Sequence, residues 1–203
     1  DDEEIFLGTA KGIFIKDHEK QHWQKLNGEL SRAFVRWMDQ DERFVWAAGD
    51  HDVLESKKSD LTYRKIFSSG FKPENDQVND EFAAEDQAAN KILAFTRQKN
   101  LAYLFVATNR GIYRSKNNGE SWEALPSVEL PLNEITSMVV SAANTDADDH
   151  LLYSMYVGTH KGVYVFQDQR WQPIYQGMEA LEVNHLVFVE DRLIAATEQG
   201  VYR

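Results

Sequence analysis

A few groups of residues in this chain have types and spacings that could do chemistry. Arg36 and Arg97 fall in or just after apolar runs, "AFVRWM" and "KILAFT", and each offers a planar forked donor suited to a carboxylate. His185 interrupts a third apolar run, "NHLVFV". Asn144, Asp146 and Asp148 in "NTDADD" set oxygen side chains at alternate positions, the spacing of the first half of a calcium loop. A complete loop of that kind would carry Gly in place of Asp149 and Glu in place of Met155, so calcium competes here with a plain solvated acidic loop. "GDHD" groups His51 with Asp50 and Asp52, either as a metal-ligating trio or as a tight turn in which Asp52 adopts the left-handed conformation usual for Gly. "SKNNGESW", Ser115 to Trp122, sets two Asn before a Gly, which is turn chemistry.

Other chemistries lack their residues. There is no cysteine, hence no thiolate nucleophile, disulfide or Cys-ligated zinc. The six histidines show no HExxH spacing, and none lies beside a candidate nucleophile. Paired carboxylates for a glycosidase are plentiful in so acidic a chain, and for that reason they carry little information. The formal net charge of -11 repels phosphate backbones and anionic membranes, so no nucleic-acid partner is expected. No apolar run approaches the roughly 20 residues that cross a bilayer. The opening "DDEE" has none of the basic and apolar character of a signal peptide, so an exported chain would already have lost its leader. With 203 residues, 42% of them hydrophobic, the chain can bury a real core.

The elements that position these residues are repeated. "FLGTAKGIFIK", "WAAGDHDVLES", "FVATNRGIYRS", "YVGTHKGVYVF" and "IAATEQGVYR" align, and four of them share Thr-x-x-Gly at Thr9, Thr108, Thr159 and Thr197. Each reads as two strands joined by a tight turn. Downstream echoes follow at Trp23, Trp122 and Trp171, with Tyr63 a weaker one, and an apolar run precedes each of the later hairpins. The unit is therefore four short strands, a to d, with a period of about 40 residues, the signature of a propeller blade. Read along the chain, the order is b-c-d, three complete units, then a-b-c. That predicts an all-β propeller with about five blades' worth of strands and incomplete end blades. A two-sheet sandwich is the alternative solution to the same repeat. The chain reads as one domain, residues 1–203, with acidic insertions at 71–90 and 141–150; the second half of the first insertion could form a short helix capped by Asp80.

On that hairpin, Ser115, Asn117, Gly119, Ser121 and Trp122 resemble the Asp-box of the sialidase-like (BNR-repeat) β-propellers. The "GT-x-x-G-[IV]-[YF]" hairpins are similar to those of photosystem-assembly-factor propellers. The resemblance implies that the box is structural, its polar side chains locking the turn and its Trp packing between blades. It also implies a non-enzymatic, extracytoplasmic scaffold holding a protein partner, with no resident cofactor. The arginine triad of a sialidase is not matched: "SRAFVRW" is the nearest run and lacks the pattern. A carbohydrate-active enzyme or glycan-binding propeller is the alternative.

Aligning the a runs puts Arg36 with Phe95, Met138 and Phe188, and His185 with Ala33, Ile92 and Ile135; Arg97 falls with Met38, Val140 and Glu190. In a propeller strand a lines the channel, so Arg36, Arg97 and His185 are the expected binding residues, unless the arginines are simply paired within the fold.

Overall fold

The computed structural model describes residues 4–16, 22–28, 32–71, 90–98, 102–141, 144–145, 151–174, 181–190 and 192–203. The chain divides into two compact units, Asp1–Ser69 and Gly70–Arg203. The helix expected after Asp80 lies outside the described residues.

The Thr-x-x-Gly turns are closed by the threonine itself. The hydroxyls of Thr9, Thr108, Thr159 and Thr197 donate to the carbonyls of Gly12, Gly111, Gly162 and Gly200 at 2.8–3.0 Å. They also accept the backbone N–H two residues on, from Lys11, Arg110, Lys161 and Gln199. Gly12, Gly162 and Gly200 have φ between 113° and 125°, which a side chain would resist, whereas Gly111 lies outside the left-handed region. "GDHD" replaces this motif in the second repeat, with Gly49 N–H bonding the Asp52 carbonyl. Asp52 does not adopt the left-handed conformation anticipated for it. It stays extended, and its carboxylate pairs with Lys65 at 2.9 Å.

Each hairpin is the centre of an antiparallel meander. In the first unit, β1 (Ile5–Thr9), β2 (Gly12–Lys16) and β3 (Gln24–Lys25) make one sheet. The second sheet is β4 (Trp37–Gln40), β5 (Phe44–Ala48), β6 (Asp52–Lys57) and β7 (Tyr63–Ser68). The other unit begins with β8 (Ile92–Gln98), β9 (Tyr103–Thr108), β10 (Gly111–Ser115) and β11 (Glu123–Leu125). Next come β12 (Ile135–Val140), a two-stranded ribbon of β13 (Asn144–Thr145) and β14 (Leu151–Leu152), then β15 (Met155–Thr159), β16 (Gly162–Gln167) and β17 (Arg170–Ile174). The ribbon stands apart, and β12, β15, β16 and β17 form the fourth sheet. The last sheet is β18 (Val183–Val189), β19 (Arg192–Thr197) and β20 (Gly200–Tyr202). The architecture is thus an all-β, five-bladed propeller set of sheets. Among the described residues the first sheet has no strand a and the last no strand d. Among the described residues every strand c pairs only within its own sheet.

Small residues precede the turn in all five sheets: Gly8, Ala48, Ala107, Gly158 and Ala196. The reason is visible where the following strand a lies in the same unit. A Cβ on Gly8 would come 2.5 Å from Val35 Cγ1 and Met38 Sδ, and one on Gly158 2.7 Å from Val183 Cγ1. Ala107 meets Ile135 and Met138 in the main core cluster, together with Phe105, Met155 and Trp171. Three a strands, β8, β12 and β18, carry a bulge beside this contact, at Leu93, Thr136 and Asn184, which shifts the pairing by one residue.

Gly158→Ala should therefore destabilise the fold by about 1–3 kcal/mol, the usual range for overpacking. Gly70→Ala, where an added Cβ meets nothing within 4 Å, should stay within about 0.5 kcal/mol of the parent. Denaturant unfolding of the two variants side by side checks the contrast.

Candidate functional site

The hairpin between β10 and β11 is held by its own side chains. Ser115 Oγ, buried at 1% exposure, accepts the N–H of Gly119 at 2.8 Å and that of Asn117 at 3.3 Å, and donates to Asn117 Oδ1. Asn117 Oδ1 accepts the Ser121 N–H at 3.0 Å, and its Nδ2 donates to Ser121 Oγ at 2.9 Å. Asn118 and Gly119 take positive φ of 53° and 83°, so the "NNG" run supplies the residues that tolerate that backbone. The side chains of Ser115, Asn117 and Ser121 thus bond one another and the backbone of their own turn, as a folding device would.

The other sheets vary this turn in ways that sequence reading only partly saw. In the second sheet Ser56, Thr62 and Tyr63 occupy the first, seventh and eighth box positions, a spacing that identifies a degenerate copy. Lys58 stands where Asn117 stands, and the carboxylate has moved to Asp60, whose Oδ1 accepts the Thr62 N–H and hydroxyl. Ser56 Oγ is left buried without a hydrogen-bond partner. In the fourth sheet the turn is two residues shorter: Asp168 and Gln169 both have positive φ, 51° and 63°, as a tight two-residue hairpin requires. The tryptophans diverge accordingly. Trp171 is 2% exposed, stacks on Phe166 and donates Nε1 to the Pro126 carbonyl at 2.8 Å. Trp122, expected to be buried, is only half-buried, and Trp23 is exposed. The inward tryptophan belongs to the shortest turn.

The expected binding residues do not share one place in the blade. Pairing puts Met38, Phe95, Met138 and Leu186 in one column, opposite Ala47, Val106, Val157 and Ala195. Arg36 precedes β4 and holds the place of the bulge residues, so its alignment is corrected by two residues against Phe95 and Met138 and by four against Phe188. His185 lies opposite Ala196, away from the column of Ile92 and Ile135. The misalignment came from matching apolar runs without the pairing partners that fix their register. Arg36 is half-exposed, lies over the Phe34 ring at 5.1 Å, and pairs through Nε with Asp50 Oδ1. His185 is exposed near the Thr-x-x-Gly end of β18. Arg97 is 9% exposed at the opposite end of its strand, opposite Leu104.

Three of the Thr-x-x-Gly turns carry a Lys or Arg at the tip, while the one at Thr197 carries Glu198. Lys11 and Arg110 are exposed at their tips. At the fourth turn Lys161 pairs with Glu134 at 2.7 Å, and His160 Nδ1 meets Glu182 at 2.7 Å. Hydrogen bonding to Glu134, then its charge, raises the Lys161 pKa above the usual lysine value. At the other end of the third sheet, burial alone would raise Glu123, but bonds from Lys116 and Arg114 win and hold it below the glutamate range. That contribution is present above the ordinary glutamate pKa and fades as pH falls through the lowered value. Tyr153 accepts from Arg114, whose pKa is raised against the opposing effect of its burial. The buried carboxylate Glu55 is fully engaged by Trp46 Nε1 at 3.1 Å and Arg64 Nε at 2.7 Å, so it too is structural.

A hollow of about 320 Å³ opens beside the second turn, lined by Arg32, Phe34, Val35, Asp50, His51 and Asp52 among others. Its His51 Nδ1 lies 3.4 Å from Ser69 Oγ. No group of three metal-ligating side chains occurs among the described residues, so "GDHD" is a turn there. Asp146, Asp148 and the side chain of Asn144 lie outside those residues.

No family model matches the chain, and no curated protein matches it. Solved structures do. The extracellular domain of the one-component system BT4673 from B. thetaiotaomicron aligns with a TM-score of 0.63 at 10% identity, over 98% of this chain and 25% of that one. "YCF48 bound to D1 peptide" aligns at 0.57 and 15%, over 97% of this chain and 58% of that one. BamB from Moraxella catarrhalis aligns at 0.51 and 14%, over 98% and 65%. The chain therefore spans less than two thirds of each of these proteins. At such identities the likeness shows the β-propeller fold.

The two box serines give a paired test. Ser115→Ala should cost about 1–3 kcal/mol, because it strands buried N–H groups, whereas Ser56→Ala, which removes an unpartnered hydroxyl, should be neutral or stabilising. Denaturant midpoints that move equally would contradict this reading of the box.

Proposed function

We propose that this chain is a non-enzymatic propeller scaffold that holds a protein partner outside the cytoplasm, with the Thr-x-x-Gly turns of each unit meeting carboxylates of that partner on their own. The carrying observation is the charge at those turns. In a chain of net charge -11, Lys11, Arg110 and Lys161 stand at three turn tips, and Arg36 leans on Asp50 of a fourth. The Arg36–Asp50 pair is solvent-exposed, and such pairs are worth about 0–1 kcal/mol, so a partner carboxylate can displace Asp50 at small cost. His185 lies opposite Ala196, at the Thr-x-x-Gly end of its own sheet. Arg97 sits at the far end of β8, where its burial gives it a part in the fold. The reading takes residues 1–203 as one domain, with the insertions at 71–90 and 141–150 outside the repeat. It is supported by the occupant of one fold neighbour, a peptide on YCF48, and by the extracellular setting of another.

Capture from native extract followed by mass spectrometry should identify a protein partner. Replacing Arg36 and Arg110 by Gln together should weaken that capture by about tenfold, with added salt acting in the same direction. The melting temperature should hardly move. Arg97→Gln should instead lower stability. Undiminished capture by the double variant would reject the proposed face.

A further inference from the structure

At the other end of the first unit, away from the Thr-x-x-Gly turns, lies a second hollow of about 440 Å³. It is formed where the turn between β6 and β7 faces the segment Gln24–Gly28, and Tyr63, Leu61, Asp60, Gln24, Lys25 and Asn27 line it along with Gly28. This volume falls in the range of small-ligand sites.

Two features mark it as more than a gap. Leu61 is held at φ 56°, a conformation disfavoured for a residue with a Cβ, and Gly28 facing it has φ 70°. Strain of that kind persists where the surroundings impose it, and it clusters at ligand clamps. The second feature is Tyr63, a large aromatic left 38% exposed. Its ring edge rests on Gly28: a Cβ there would lie 3.3 Å from Tyr63 Cε1. The chain thus fixes the ring in place while leaving it open to the hollow.

The lining chemistry selects the ligand. Asp60, Asn27 and Gln24 bring planar groups that accept and donate paired hydrogen bonds. Asp60 Oδ1 accepts the Thr62 N–H at 2.9 Å and its hydroxyl at 2.6 Å, which fixes the carboxylate at the rim of the hollow. The Thr62 hydroxyl, then its N–H, holds the Asp60 pKa below the usual range, so the group is an anion and an acceptor at neutral pH. The cation of the hollow, Lys25, lies over the Phe14 ring at 5.9 Å. One anion and one engaged cation favour neither a phosphate nor an amine. A purely apolar ligand would cover the amides of Asn27 and Gln24 without offering them a partner. A pyranose fits both demands: its C–H face lies on an aromatic ring, and its equatorial hydroxyls bridge carboxylate and amide groups.

We propose that this hollow is a subsite for a neutral saccharide unit, with Tyr63 as the stacking platform and Asp60, Asn27 and Gln24 as hydroxyl partners. It is separate from the turn face and does not depend on the protein-binding reading.

Saturation-transfer NMR on the full chain tests it, with cellotriose, maltotriose and chitotriose as probes and trigalacturonate and trilysine as charged controls. At least one neutral trisaccharide should show transfer to its ring C–H protons. Tyr63→Ala should weaken that binding by about tenfold or more, while Tyr63→Phe keeps it. Asp60→Asn, which retains an acceptor for Thr62 and so spares the turn, should also weaken it. Replacing Arg36 and Arg110 should leave it unchanged, which separates this site from the protein face. Absence of transfer from all three sugars, binding that survives Tyr63→Ala, or retention of a charged control in their place would overturn the assignment.

Discussion

A residue with no side chain, or with a methyl alone, stands before the turn in all five sheets, and at Gly8 and Gly158 the strand a that follows comes close enough to forbid even a methyl. This close approach sets the spacing of neighbouring sheets. It explains why Val35 and Val183, or Met38 and Leu186, recur at the facing positions, and why the next residue is a threonine that closes its turn without projecting toward the neighbour. The bulge on the facing strand belongs to the same constraint, since it lets strand a bend over the small residue while keeping its pairing with strand b. Variation is pushed outward as a result, to the two residues at the turn tip and to the longer turn between strands c and d.

That division accounts for what could be read from the sequence. The hairpins were legible because Thr-x-x-Gly ties side-chain chemistry to backbone conformation, so four copies aligned themselves. The Ser115–Trp122 box was legible for the same reason. The registers of strand a were not, because one apolar run can be slid along another without a mark; slips of two and four residues displaced Arg36 and His185 from their true columns. Trp122 was misjudged on a different ground: the burial of a tryptophan after the turn depends on the length of that turn, and only the short "QDQR" hairpin swings its indole inward. The second box was legible in hindsight from Ser56, Thr62 and Tyr63, but its carboxylate had moved by two positions and hid the pattern.

The site residues divide along the same lines. Groups buried in the sheets, Glu55, Arg97 and Ser115, have their polar capacity absorbed or enclosed by the fold. Groups at the ends of the sheets remain available. Within each unit the turn ends carry lysine or arginine beside acidic side chains; the opposite end of the first unit carries an aromatic ring with amides and a carboxylate. Such a chain can present different chemistry at the two ends of a blade without disturbing the packing between blades.

Hydrogen–deuterium exchange of the full chain, with and without the protein partner recovered by capture, tests this account most directly. The account predicts slowed exchange in the turns at residues 10–11, 50–51, 109–110 and 160–161, with residues 58–62 at the opposite end unchanged. Protection confined to residues 58–62, or spread evenly through the strands, would contradict it.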